Sequence, residues 1–167
     1  MPTPTLHFSV SRNITDYRPL IAELVDELGT RFAGSMENWC GIGSRPYPLP
    51  VWQVYLVRDC SDNAIGVCSY YRQKDDPPGR YWIGWIGVHK SVRRRGMAST
   101  MFAYVLKQLQ TMNATDVWVY TGSDGAANFY RAMGMRDVGE FHETGLEQAA
   151  AVGDESVLAL NIQDLHD

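Results

Sequence analysis

Hydrophobic and polar positions change period along this chain in a way that lays out its elements in order. Residues 6–10 alternate as a short strand. From Asp16, a candidate N-cap, Tyr17, Leu20, Ile21, Leu24 and Leu28 recur at helical spacing up to Gly29, with Pro19 in the expected first turn. A weaker pattern over residues 31–39 predicts a second, short helix, and residues 41–50 read as loop. Strand patterns follow over 51–57 and 64–71, separated by the turn-forming run 59–63, which together predict an antiparallel hairpin. The Asp75-Asp76-Pro77-Pro78-Gly79 run is a loop signal. A buried strand over 81–88 comes next.

The strongest helical stripe begins near Gly96: Ala98, Met101, Phe102, Val105, Leu109 and Met112 share one face, with Asn113 as its stop. A strand over 116–121, a loop over 122–125 and a short helix over 126–133 ending at Gly134 complete the middle of the chain. Strands are expected over 136–141 and 155–161, and residues 143–154 fit no single pattern. A strand, a helix and a strand at this spacing imply a right-handed crossover and a local parallel pair. The expected fold is therefore α/β (α+β): a mixed, mostly antiparallel sheet of about six to seven strands flanked by about four helices. No repeat or low-complexity run marks a boundary, so residues 1–167 are expected to form a single domain.

Composition narrows the chemistry. A formal net charge of −4 gives no general attraction to nucleic acid or to anionic membranes. Cys40, Cys60 and Cys68 are odd in number and lack metal-ligand spacing, as expected of reduced cysteines in a cytoplasmic protein. The first residues carry no basic segment leading into an apolar core, so no signal peptide is expected. No stretch approaches the ~20 apolar residues of a membrane span.

Against this acidic background, the basic run Arg93-Arg94-Arg95-Gly96-Met97-Ala98-Ser99 stands between a predicted strand and a predicted helix. A helix N-terminus offers unpaired N–H groups and the positive end of the helix dipole. Gly96 removes a side chain where an anion would approach the backbone, and Ala98 keeps the next turn thin. These features predict a site for a phosphate-bearing ligand. A structural reading is also open, in which a basic surface turn simply joins a buried strand to a helix. Read as a nucleic-acid contact, the arginine run is too short in so acidic a chain.

The spacing Arg93-x-x-Gly96-x-Ala98 resembles the acyl-CoA signature of the GNAT N-acetyltransferase superfamily. The run Ala126-Ala127-Asn128-Phe129-Tyr130-Arg131-Ala132-Met133-Gly134 is similar to that family's second signature. The resemblance implies a GNAT-like fold and an acetyl-CoA-dependent N-acetyltransferase. It moves an acetyl group to a primary amine, with a small molecule as acceptor, by direct attack in a ternary complex and without a metal. It implies cofactor contacts from Ile86, Gly87 and Val88 on the strand and from Arg93, Arg94, Arg95, Gly96, Met97, Ala98 and Ser99 at the helix start. Ser123, Ala126 and Phe129 complete the cofactor set. Tyr130 is implied as the acid for the CoA sulfur. The N–H of Val88 is the implied donor to the thioester oxygen.

The family's usual strand glutamate falls on Trp82, which has no basic atom. His89, Glu37, Asp124, Asp137 and His142 are nearby alternatives, and a water chain is another, so the base is unassigned. Phe32, Glu37, Trp39, Trp52, Tyr55, Trp82 and Trp85 are the residues expected near an acceptor, either as an aromatic wall or as core. Acetyl-CoA and an amine are the expected partners, with neither nucleic acid nor membrane, and the reading admits a homodimer. A non-catalytic acyl-CoA sensor or regulatory domain is the alternative.

Overall fold

The computed structural model describes residues 5–43, 49–93, 95–138 and 156–165. Its strands are β1 (His7–Ser9), β2 (Val51–Arg58), β3 (Ala64–Arg72), β4 (Arg80–Val88), β5 (Asp116–Thr121), β6 (Arg136–Asp137) and β7 (Ser156–Asn161). The helices are α1 (Ile14–Trp39), α2 (Met97–Thr111) and α3 (Asp124–Ala132). The strands hydrogen-bond in the order β1-β2-β3-β4-β5-β7-β6. β4 and β5 run parallel, as the α2 crossover requires, whereas β1–β2, β2–β3, β5–β7 and β6–β7 are antiparallel. The chain forms two compact units, residues 1–74 with 83–107 and residues 75–82 with 108–167.

In the first unit, α1 differs from expectation at both its start and its middle. Asn13 is the cap, its side chain accepting from the N–H of Thr15 at 3.1 Å. Asp16 is engaged elsewhere, accepting from the Ser11 hydroxyl at 2.6 Å and facing Arg58 at 3.6 Å. The helix therefore starts earlier, and Pro19 sits inside it rather than in its first turn. The two predicted helices are one interrupted element. Gly29, at φ +73° and ψ −176°, breaks the helical backbone in a region open essentially to glycine alone. This is why three α-helices are described where about four were expected.

The hairpin turn between β2 and β3 is built by Asp59, whose carboxylate accepts from the N–H groups of Ser61 (2.9 Å) and Asn63 (3.0 Å). One face of the hairpin, with Val54, Leu56 and Val67, packs on Tyr17, Leu20, Leu24, Phe32, Met36 and Trp39 of α1. Tyr55, on the opposite side of the pleat, meets Tyr104 of α2 edge-on at 5.0 Å. Phe8 stacks flat on the same Tyr104 at 3.8 Å.

In the second unit, β5 lies between β7 and the first residues of β4, with Arg80 opposite Asp116 and Trp82 opposite Trp118. Val117 and Val119 of β5 are buried. Of the strand expected over 136–141, β6 supplies Arg136–Asp137, and the remainder past residue 138 lies outside the described residues, as do His142 and residues 143–154.

Candidate active site

The turn between β4 and α2 follows from its sequence. His89 closes the end of β4 by donating its backbone N–H to the Ile65 carbonyl at 2.8 Å, and its ring Nδ1 caps the N–H of Ser91 at 3.2 Å. A single 3-10 turn, Lys90–Val92, follows. Gly96 then takes φ +76°, which only glycine adopts without strain, and among the described residues no atom beyond its own chain neighbours lies within 4 Å of where its Cβ would stand. The bond from the Thr100 N–H to the Gly96 carbonyl, 3.1 Å, starts the helical ladder. The N–H groups just before it therefore have no intrahelical acceptor. Arg95 and Gly96 are exposed there, Ala98 and Ser99 are half-buried, and Met97 is buried as the anchor of α2. An open, N–H-rich, cationic helix start is the chemistry that binds phosphate. Arg94 lies outside the described residues.

Arg93 sits differently from what its place in the motif implies. Its Nη1 and Nη2 donate to the two carboxylate oxygens of Glu27 at 2.5 and 2.6 Å, and its Nε donates to the Val88 carbonyl at 3.2 Å. The pair holds the Glu27 carboxyl below the usual carboxylate range and pushes the Arg93 guanidinium up, the hydrogen bonds being the main cause in both.

The strand leading into this turn breaks its own alternation. Gly84 lies against Ser69, Trp85 against Phe32, and Gly87 against Leu24 and Leu28, so residues 84, 85 and 87 all face α1. Two consecutive residues on one side mark an irregularity of the bulge kind. Ser69, fully buried, holds it: its hydroxyl accepts from the Trp85 N–H at 2.7 Å. Gly84 leaves the room, because a Cβ there would meet that hydroxyl at 2.3 Å. The break re-aims Ile86, Gly87 and Val88, of which Gly87 and Val88 are buried and Ile86 is half-buried.

The second signature forms α3. Ser123 is its N-cap, with the hydroxyl accepting from the Ala126 N–H at 3.2 Å. Ala126 and Phe129 are half-buried, and Tyr130 is 6% exposed. The Phe129 and Tyr130 rings meet edge-on at 5.2 Å. Burial pushes the Tyr130 phenol well above its ordinary range. Gly134, at φ +100°, ends the element as expected.

A family model described as the acetyltransferase (GNAT) family matches residues 22–135, from within α1 to the end of the second signature. The chain belongs to the GNAT acetyltransferase family. Solved structures of similar fold include a GNAT acetyltransferase from Staphylococcus aureus Mu50, with 15% identity, 95% of this chain and 99% of that one covered, and a TM-score of 0.68. The PaiA N-acetyltransferase of Thermoplasma acidophilum, solved in complex with coenzyme A, is 10% identical, with 94% and 99% covered and a TM-score of 0.64. The ribosomal-protein-S18-alanine N-acetyltransferase of Escherichia coli is 13% identical, with 98% and 100% covered and a TM-score of 0.61. A comparison with curated protein sequences finds no match.

Within this GNAT chain, the residues considered for the base role are occupied in different ways. His89 uses Nδ1 in its cap and turns Nε2 toward Glu23 at 3.9 Å. Asp137 is held by Arg131 through two bonds of 2.9 Å, which lower its pKa. Asp124 opens α3, where a carboxylate favours the helix dipole. Glu37 lies in the second segment of α1. Trp82 is completely buried, and its indole N–H donates to both oxygens of Asp76, at 3.0 and 3.2 Å. Asp76 is the residue missed from sequence: its loop context reads as solvated, yet the turn at Pro77-Pro78-Gly79 brings its carboxylate back onto the strand.

The aromatic residues expected near an acceptor divide into three groups. Phe32 with Trp85 and Trp39 with Trp52 form edge-on pairs within the α1 core cluster. Tyr55 belongs with Tyr70 and Tyr104. Trp82, in the second unit, meets Trp118 and Tyr120 at 5.7 and 6.0 Å. Among the described residues, no helix is long and apolar enough to cross a membrane.

Proposed function

We propose that this GNAT protein is an acetyl-CoA-dependent N-acetyltransferase acting on the primary amine of a small molecule. The observation that carries the proposal is the start of α2, where Gly96 at φ +76° leaves open space beside a row of backbone N–H groups. The N–H groups of Arg95 to Ser99 would receive the pyrophosphate of acetyl-CoA, with the Arg95 guanidinium adding charge. Backbone groups of Ile86, Gly87 and Val88 would align the pantetheine arm, and the Val88 N–H would polarise the thioester carbonyl. Ser123, Ala126 and Phe129 complete the proposed cofactor contacts.

In the proposed reaction the lone pair of the unprotonated amine forms the new C–N bond and the C–S bond breaks. The electron pair leaves on sulfur, which takes a proton from the Tyr130 hydroxyl. The nitrogen gives up one proton through water to solvent, from which the Tyr130 phenolate later regains its own. The support for this role is the place of Tyr130 in the second signature. Its phenol is protonated at neutral pH, and burial, by pushing its pKa up, makes it a weaker acid, so a hydrogen bond to the departing sulfur is the larger part of its proposed help. Trp82 supports a second reading, binding of acyl-CoA without turnover, since a fully buried indole accepts no proton from an amine. Calorimetry with acetyl-CoA, followed by a thiol-release screen across an amine library, tests both. Micromolar binding with amine-dependent thiol release is expected. Binding without release from any amine favours the second reading, and no binding at high micromolar concentration overturns both.

A further inference from the structure

We propose that Arg93 is a positioning residue whose side chain does not bind phosphate. Together with Glu27 it forms a latch that fastens the β4–α2 turn to α1 and so sets the backbone cradle for acetyl-CoA. This inference rests on the acetyl-CoA reading of that turn.

The geometry carries it. Both nitrogens of the guanidinium fork are already matched to the two Glu27 oxygens, and Nε is bonded to Val88. A planar bidentate pair of this kind fixes direction as well as distance. Contacts on either side of the latch point the same way. Leu24 and Leu28 of α1 lie 3.0 and 3.2 Å from where a Cβ on Gly87 would be, so α1 is seated on the last residues of β4. Glu23, one turn before Glu27, faces the His89 ring. Residues 23, 24, 27 and 28 share one helix face, and that face carries the end of β4 and the turn after it. Glu27 also lies two residues before the Gly29 break, at the end of the α1 segment that bears on the turn. The proposed phosphate contacts are backbone groups with no side-chain adjustment available, so their aim depends on how the turn is held.

A charge swap separates a latch from a direct ligand. Acetyl-CoA binding is measured by calorimetry for the wild type, Glu27→Gln, Arg93→Gln, the double Gln variant and the swap Glu27→Arg/Arg93→Glu. A latch predicts that each single variant weakens binding by a similar factor, roughly three- to tenfold, and that the double variant is no worse than either. The swap should recover most of the loss. In steady state with any accepted amine, KM for acetyl-CoA should rise while kcat at saturation is held. If Arg93 touches phosphate, Arg93→Gln is much worse than Glu27→Gln, the two effects add, and the swap abolishes binding by placing a carboxylate at the anion site. That result overturns the latch alone. Where the swap fails to fold, the Gln cycle decides between additive and shared losses. Failure of the wild type to bind acetyl-CoA overturns the acetyl-CoA reading and the latch with it.

Discussion

The β4–α2 turn and the α3 helix around Tyr130 achieve control of charge by opposite physical means. The turn is exposed: Arg95 and Gly96 face solvent, the Arg93–Glu27 pair is over a third exposed on both sides, and the proposed chemistry lies in backbone N–H groups. Tyr130 is buried, and its proposed chemistry lies in one hydroxyl whose pKa desolvation pushes up. A doubly charged pyrophosphate brings its own hydration and suits a wet site with fixed dipoles. A buried phenol stays neutral because the low-dielectric setting disfavours its anion, which suits it to hydrogen bonding more than to giving up its proton. An exposed ion pair is worth only ~0–1 kcal/mol of stability, which agrees with a positioning role for Arg93 and Glu27. Deleting the Tyr130 hydroxyl should leave the cradle intact, and disturbing the cradle should leave the hydroxyl intact.

Tyr130→Phe is the sharpest way to break this comparison. General-acid assistance contributes about 10²–10⁴-fold as a rule, and a thiolate leaving group needs it less than an alkoxide, so kcat is expected to fall roughly 10²-fold. KM for acetyl-CoA should stay within about twofold. Unchanged turnover would remove Tyr130 from the acid role.

Ser69→Ala tests the strand that aims residues 86–88. It leaves the Trp85 N–H without the acceptor that the fully buried Ser69 provides, which costs about 1–3 kcal/mol. Thermal denaturation should show a Tm lowered by roughly 2–12 °C at the scale of 2–4 °C per kcal/mol. A Tm equal to wild type would mean that the irregularity in β4 holds without the hydroxyl.

Gly96→Ala sharpens the comparison from the cradle side. The added methyl group meets no atom, so the expected cost is the left-handed backbone alone, about 1–2 kcal/mol. Acetyl-CoA binding should weaken by several-fold in calorimetry, with the Tyr130-dependent step unaffected once the site is saturated. Full-strength binding would detach the positive φ from the cradle.

Tyr17 serves as the structural counterpart of Tyr130. It is fully buried, its hydroxyl donates to the Ser11 carbonyl at 2.5 Å, and desolvation is the main cause of a pKa pushed up to about 12. A folded-state pKa above the unfolded value of ~10 means that the unfolded chain ionises first. The stabilisation is complete below pH 10 and is lost as pH rises from 10 to 12. Denaturant melts across that window should fall less steeply for Tyr17→Phe than for the wild type. Parallel slopes would show that Tyr17 ionises alike in both states.

How much of this was legible in sequence depended on the distance over which each contact acts. Gly29 was readable as a helix stop because the restriction on its φ and ψ is local. Asn13 displaced Asp16 as the cap because Ser11 and Arg58 engage the Asp16 carboxylate, and Arg58 lies far along the chain. Asp76 was hidden for a similar reason. Acidic residues beside prolines read as solvent-facing until the turn at Gly79 returns the chain along β4, where the Trp82 indole N–H needs an acceptor. The second signature was readable as a helix ending at Gly134, whereas its Ser123 cap and the depth of Tyr130 were not.

The opening pattern of hydrophobic and polar positions was enough to order most of the elements, to place a parallel pair at β4 and β5, and to locate the helix start at Gly96 proposed as the anion cradle. All of these follow from periodicity and backbone sterics within a few residues. Tertiary structure alone decided what the charged and aromatic groups do. A guanidinium pairs with whichever carboxylate the fold brings within reach, and for Arg93 that partner is 66 residues away. The same holds for the indole of Trp82 and the hydroxyl of Ser69. Long polar side chains have no local rule strong enough to fix a partner, so packing chose theirs.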